Sequence, residues 1–165
     1  MKTSANSILR ILLLACIFCT LLFIFGQSIL PSDESSEISG SVAGFFSLVF
    51  PPDTPFGAFF KAYVRKIAHF TEYFALGVFT SLYFVFFVPT ADSLPQKRAP
   101  FFLLSLLTAP VVGGIDETIQ IFSGRGPMIA DVLLDCAGYL SAAAIVYSLF
   151  CIINYLKKNN KKQQI

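Results

Sequence analysis

Apolar residues along this chain fall into four long blocks separated by short polar stretches. A membrane helix needs about 20 mostly apolar residues to cross roughly 30 Å of hydrocarbon. Four stretches meet that requirement, at about 11–30, 67–88, 101–122 and 128–156. The fourth is longer than required. Its early part carries Asp131 and Asp135, so its purely apolar stretch begins near Cys136. The pattern predicts an all-α, polytopic membrane protein with four transmembrane helices, forming a single domain over residues 1–165. The first block holds a loose lipoprotein-like cleavage pattern, Leu13-Leu14-Ala15-Cys16. Apolar sequence continues well past Cys16, however, whereas a signal's apolar core is about 7–15 residues. No polar tether follows the cysteine, so an uncleaved span is expected.

The connection between the first two blocks has its own pattern. It opens acidic, with Asp33, Glu34 and Glu37, and then turns apolar from Val42 to Phe50. That apolar piece is too short to span and predicts a re-entrant or interfacial element. Pro51-Pro52-Asp53-Thr54-Pro55 ends it. Thr54 followed by Pro55 reads as a helix start, with a capping hydroxyl and proline at the first helical position. That helix is expected to run into the second span and to carry Lys61, Arg65 and Lys66. The short stretch Ser123-Gly124-Arg125-Gly126-Pro127 forces the third and fourth blocks to lie antiparallel as neighbours.

Composition agrees with lipid as the solvent. The chain is 55% hydrophobic and 13% charged, where soluble domains carry about 25% charged residues. The lipid bilayer is therefore the expected partner, and a net charge of +2 is too small to indicate nucleic acid. With 19 Phe, six Tyr and no Trp, tyrosine and phenylalanine would occupy the bilayer interface. Basic residues set orientation. With the N-terminus inside, Lys2, Arg10, Lys97, Arg98, Lys157, Lys158, Lys161 and Lys162 face the cytoplasm, eight in all. Lys61, Arg65, Lys66 and Arg125 make four outside. Eight against four predicts a multi-pass protein of the cytoplasmic membrane with both termini inside. The four cysteines, Cys16, Cys19, Cys136 and Cys151, lie in apolar runs and read as small buried hydrophobes. Cys16-x-x-Cys19 lacks the strand–helix context of a redox motif, and the only histidine, His69, belongs to another segment, so the cysteines do not suggest structural zinc.

The ionisable residues of the later blocks converge in depth. In this topology the second block enters from outside, which puts His69 and Glu72 near the outer surface. The third enters from inside, and at about 1.5 Å per residue Asp116 lies about 22 Å above Phe101. Glu117 and Gln120 lie higher, and Asp131 and Asp135 begin the descent of the fourth. Asp116 and Gln120 are spaced i, i+4, as are Asp131 and Asp135, so each pair shares a helix face. Arg65, His69 and Glu72 recur at helical spacing, with Lys66 and Tyr73 alongside. A charge at mid-bilayer costs about 2.5–3.5 kcal/mol on insertion scales. The acids Glu72, Asp116, Glu117, Asp131 and Asp135 therefore need partners, and Arg65, Lys66, Arg125 and protonated His69 could supply them.

Two stretches carry a resemblance. Lys66-Ile-Ala-His69-Phe-Thr-Glu72-Tyr73-Phe-Ala-Leu76-Gly77 is similar to the first signature of the VanZ-like family. Asp116-Glu117-Thr-Ile-Gln120-Ile-Phe-Ser-Gly124-Arg125, continuing through Asp131-Val-Leu-Leu-Asp135-Cys-Ala-Gly138, resembles the second. Members of the family often carry Asn where this chain has Asp135. The resemblance implies a small bacterial membrane protein of the cell envelope. The founding member is linked to resistance to the glycopeptide teicoplanin.

Three functions remain open from the residues themselves. The first is an enzyme or binder acting on an envelope lipid or cell-wall precursor at the outer leaflet. Arg65, Lys66 and Arg125 would hold a phosphate, with Tyr73, Gln120, Asp131 and Asp135 also binding. His69, Glu72, Asp116 and Glu117 would manage a proton. The second is a non-catalytic envelope protein whose charges form a structural ion-pair network. The third is a small ion-coupled transporter. The excess of acids would suit a divalent cation such as Mg²⁺ or Ca²⁺. Asp131 is also explained by the dipole of a helix N-terminus, and Arg125 by an interfacial anchor. Pro110, Gly113 and Gly114 suggest either close helix packing or a broken helix before Asp116.

Overall fold

A computed structural model describes residues 2–87, 106–124 and 129–163. The described residues form five helices and no strand. These are α1 (Lys2–Ile29), α2 (Ser32–Ser47), α3 (Pro55–Phe87), α4 (Thr108–Phe122) and α5 (Ile129–Gln163). Among the described residues, three segments are long and apolar enough to cross a membrane: Asn6–Ile29, Pro55–Phe87 and Ile129–Asn160. Helix α4 is the described part of the third apolar block; residues 101–105 of that block lie outside the described residues, as do Lys97, Arg98 and Arg125. Large apolar side chains point outward along these helices, among them Ile11 at 66% and Phe18 at 62% exposure. Water would penalise such a surface, while lipid does not. The chain is a membrane protein.

The first connection is more regular than its hydropathy suggests. One helix, α2, starts in the acidic stretch and absorbs most of the apolar piece from Val42 onward. Pro31 caps its start in an extended conformation, and Asp33 and Glu34 in the first turn complement the helix dipole. At 16 residues it is about 24 Å long, short of a full span. It leans on α3, where Phe46 meets Phe60 at 4.6 Å between ring centroids.

Helix α3 starts as the Thr54-Pro55 pair predicts. The Gly57 amide donates to the Thr54 hydroxyl at 3.1 Å. Its 33 residues extend about 50 Å, longer than the hydrocarbon core. Helix α5 crosses α3 closely because small residues sit at the crossing. A Cβ on Gly77 would lie 2.6 Å from the Tyr139 carbonyl oxygen, and one on Gly138 would strike the Phe70 carbonyl. Backbone therefore meets backbone, the packing mode that serves where lipid offers no hydrophobic drive between helices. Tyr73, Leu76, Tyr139 and Ala143 form the centre of the buried core, joined by Ile24 from α1 and Val112 from α4. Helix α4 continues unbroken through Pro110, Gly113 and Gly114. Gly113 lies against Val132 and Asp135 of α5, so close packing, not a broken helix, explains it.

Helices α1 and α3 run antiparallel. At one end the Arg10 guanidinium donates to the Tyr83 hydroxyl at 3.2 Å. At the other, Ser28 of α1 lies about 27 Å away along the helix.

The crossing is testable. Gly138→Ala should destabilise by about 1–3 kcal/mol, because the methyl meets backbone that cannot rotate away. Gly26→Ala, whose Cβ would meet nothing within 4 Å, should be neutral or slightly stabilising. Unfolding curves in detergent micelles would separate them; equal curves would contradict the crossing.

Candidate functional site

A carboxylate that enters hydrocarbon must find hydrogen bonds or a counter-charge. Two do so at the end of the bundle opposite Arg10. Asp116 of α4 and Asp135 of α5 are both fully buried, at 0% exposure. His69 of α3 faces them both. Its Nδ1 lies 3.9 Å from Asp116 Oδ2 and 3.6 Å from Asp135 Oδ1. The Gln120 side-chain amide donates to Asp116 Oδ2 at 3.1 Å, as the i, i+4 spacing predicts. Helix α1 supplies the remaining partner, because the Ser28 hydroxyl donates to Asp116 Oδ1. Ser123, at the end of α4, donates to the Ser28 carbonyl at 2.9 Å and fixes α4 against α1. The Tyr73 hydroxyl is buried beside Asp135 and Asp116, and Glu72 is within electrostatic reach of His69. Four helices thus meet on one small polar centre.

The centre is reached from a cavity of about 140 Å³ enclosed by α1, α2 and α3. Arg65, His69, Glu72 and Ser28 form its polar wall, while Phe23, Ile38 and Val42 form an apolar one. A second groove, about 470 Å³, runs between α2 and α3 and shares Ser39, Val64 and Arg65 with the first. Lys61 lines this larger groove together with Arg65. A third opening, lined by Thr20, Phe23 and Glu72, lies between α1 and α3.

The fold therefore unites His69, Glu72, Tyr73, Asp116, Gln120 and Asp135, with Arg65 on the cavity wall. Asp131 sits one turn before Asp135, in the first turn of α5, and acts on Asp135 through its charge. One expected member stands apart. Lys66 is exposed and lines none of these cavities, because it lies about 100° round the helix from Arg65. Glu117 is buried on α4, next in sequence to Asp116. The assignment of Arg125 lies outside the described residues. Ser28 was not expected from the sequence. The signal was there: Gln27-Ser28 is a polar pair at the end of an apolar block, level with the other polar residues.

The family profile described as VanZ/LLP1 matches residues 10–153. The chain belongs to the VanZ/LLP1 family. The VanZ/LLP1 match spans every residue of the polar centre, from Ser28 to Asp135, as well as the cavity that leads to it. No match was found among curated proteins or solved structures.

The Ser28 contact carries a measurable consequence. Ser28→Ala removes a donor from a buried carboxyl and should cost about 1–3 kcal/mol. Ser36→Ala, on the exposed side of α2, should stay within about 0.5 kcal/mol. Detergent unfolding of both variants would measure the difference, and an unaffected Ser28→Ala protein would remove α1 from the centre.

Proposed function

We propose that this VanZ/LLP1 protein binds a phosphate-bearing envelope lipid or cell-wall precursor at the outer leaflet of the bacterial cytoplasmic membrane. In this reading it has four spans, with α4 ending the third, and both termini are cytoplasmic. Helix α2 lies at the outer interface. The observation that carries the reading is the cavity enclosed by α1, α2 and α3. It joins a cation, Arg65, to apolar walls formed by Phe23, Ile38 and Val42. An amphipathic ligand with an anionic head and an acyl tail matches that combination. Arg65 would hold the phosphate in a charge-assisted, bidentate contact, with Lys61 at the mouth of the adjoining groove. His69 and Glu72 at the cavity floor would manage a proton if the bound molecule reacts. A contribution to teicoplanin-type glycopeptide resistance rests on the family alone.

A second reading has its own support. Ser28, His69, Asp116 and Asp135 come from four helices, so the centre would also serve as an internal polar clamp. The two readings part on Arg65, which contributes to the cavity and to none of the contacts among those four. Native mass spectrometry of the purified protein should show bound phosphate-bearing lipid. Arg65→Gln should lower its occupancy about tenfold, the loss expected for one charge-assisted contact, with little change in melting temperature. Unchanged lipid occupancy in Arg65→Gln would leave only the clamp.

The topology has a separate test. In a protein whose four cysteines are Ala, a Cys placed at Glu37 should react with an impermeant thiol reagent added to intact cells. A Cys at Gln163 should react only after lysis. The reverse pattern would invert the protein and move the cavity to the cytoplasmic side.

A further inference from the structure

Among the described residues, the polar centre sets one imidazole, His69, against two buried carboxyls, Asp116 and Asp135. Asp116 receives hydrogen bonds from Ser28 and Gln120. Asp135, equally buried, has no partner at full hydrogen-bond geometry: the His69 imidazole, 3.6 Å away, and the Tyr73 hydroxyl bear on it only from outside that geometry. The Tyr73 hydroxyl beside it is likewise without one, and so is His69 Nδ1. The His69 side chain is 12% exposed. Its Nδ1 carries at most one proton, yet it faces two carboxylates, both beyond hydrogen-bond distance. Were His69 protonated, its single charge would still leave one of the two acids uncompensated. Glu72 adds a further acid within electrostatic reach.

We propose that His69, Asp116 and Asp135 bind a first-row divalent metal ion, Zn²⁺ or Mn²⁺, between α3, α4 and α5. One ligand atom from each residue lies within 4.8 Å of the other two. Ligands about 2.0–2.1 Å from a tetrahedral metal stand about 3.3 Å apart. The observed separations from His69 Nδ1, 3.6 and 3.9 Å, close to that value with small side-chain rotations. A dication, two carboxylates and a neutral imidazole sum to zero charge, which suits a site whose two carboxylates are wholly buried. The unpartnered oxygens of Asp135 are the second observation, independent of the clustering of acids, and they point into the same space as His69 Nδ1. The imidazole also decides the metal. Mg²⁺ and Ca²⁺ take oxygen ligands, whereas a nitrogen with two carboxylates suits Zn²⁺ or Mn²⁺. Gln120 and Ser28 then orient Asp116 from the second shell, as such partners do in metal sites. Three protein ligands leave at least one coordination position for another donor.

The inference does not rest on lipid binding, and its test does not measure lipid. The full-length protein is purified in detergent without chelator and its metal content is measured by plasma mass spectrometry. About one Zn²⁺ or Mn²⁺ per chain is expected, the identity distinguishing the two. Chelator-stripped wild-type protein should then gain about 5 °C or more in melting temperature when one of these ions is restored at saturating concentration. Asp135→Asn and His69→Ala should lose both the bound metal and the thermal gain, while Ser36→Ala keeps them. Two results would overturn the site: wild-type protein that holds neither metal and gains no stability from either, or variants that retain metal as fully as wild type. The stripping and restoring of wild-type protein decides the matter even if a variant fails to fold.

Discussion

Everything at the functional end of this protein depends on the burial of two aspartates in a membrane-embedded bundle. Asp116 and Asp135 are wholly enclosed, in a medium where a lone carboxylate is costly. The surrounding helices are arranged so that hydroxyl, amide and imidazole groups reach them. Ser28 comes from α1, His69 from α3 and Gln120 from the next turn of α4. Without these the bundle would carry uncompensated polarity at its centre. With them it gains a polar junction that ties all the long helices together at one end.

That junction is possible only because the helices approach closely. Gly77 and Gly138 let the backbones of α3 and α5 touch, which brings His69 on one helix level with Asp135 on the other. Gly113 of α4 faces the side chains of Val132 and Asp135 on α5 at ordinary contact distance. The small residues and the polar residues are thus parts of one device. Glycine sets the distance, and the acids and histidine occupy the space that the distance leaves.

Helix α2 adds a different element. It is too short to span and lies against the first half of α3, closing a cavity over Arg65, His69 and Glu72. The centre is therefore approachable on the side of α1 and α2. Arg65, the apolar residues Phe23, Ile38 and Val42, and the polar pair His69 and Glu72 all line this one cavity, the combination on which the proposed binding of an amphipathic molecule rests.

The sequence by itself determined the helices. Apolar blocks in lipid must satisfy their backbone groups locally, so hydropathy becomes helix directly. The cap at Thr54 and the i, i+4 pair of Asp116 and Gln120 are local in the same sense, since each depends only on neighbours along one helix. Tertiary structure decided which side chains meet. Arg65 turns to the cavity while Lys66 turns away. Spacing along one helix cannot tell such neighbours apart, because the choice depends on which face each helix presents to the next. Ser28 joined the centre for the same reason: its partner lies 88 positions away, across a contact that only the packing of α1 against α4 creates. Likewise the acidic opening of the first connection became a helix once α3 gave its apolar face a surface to lie on.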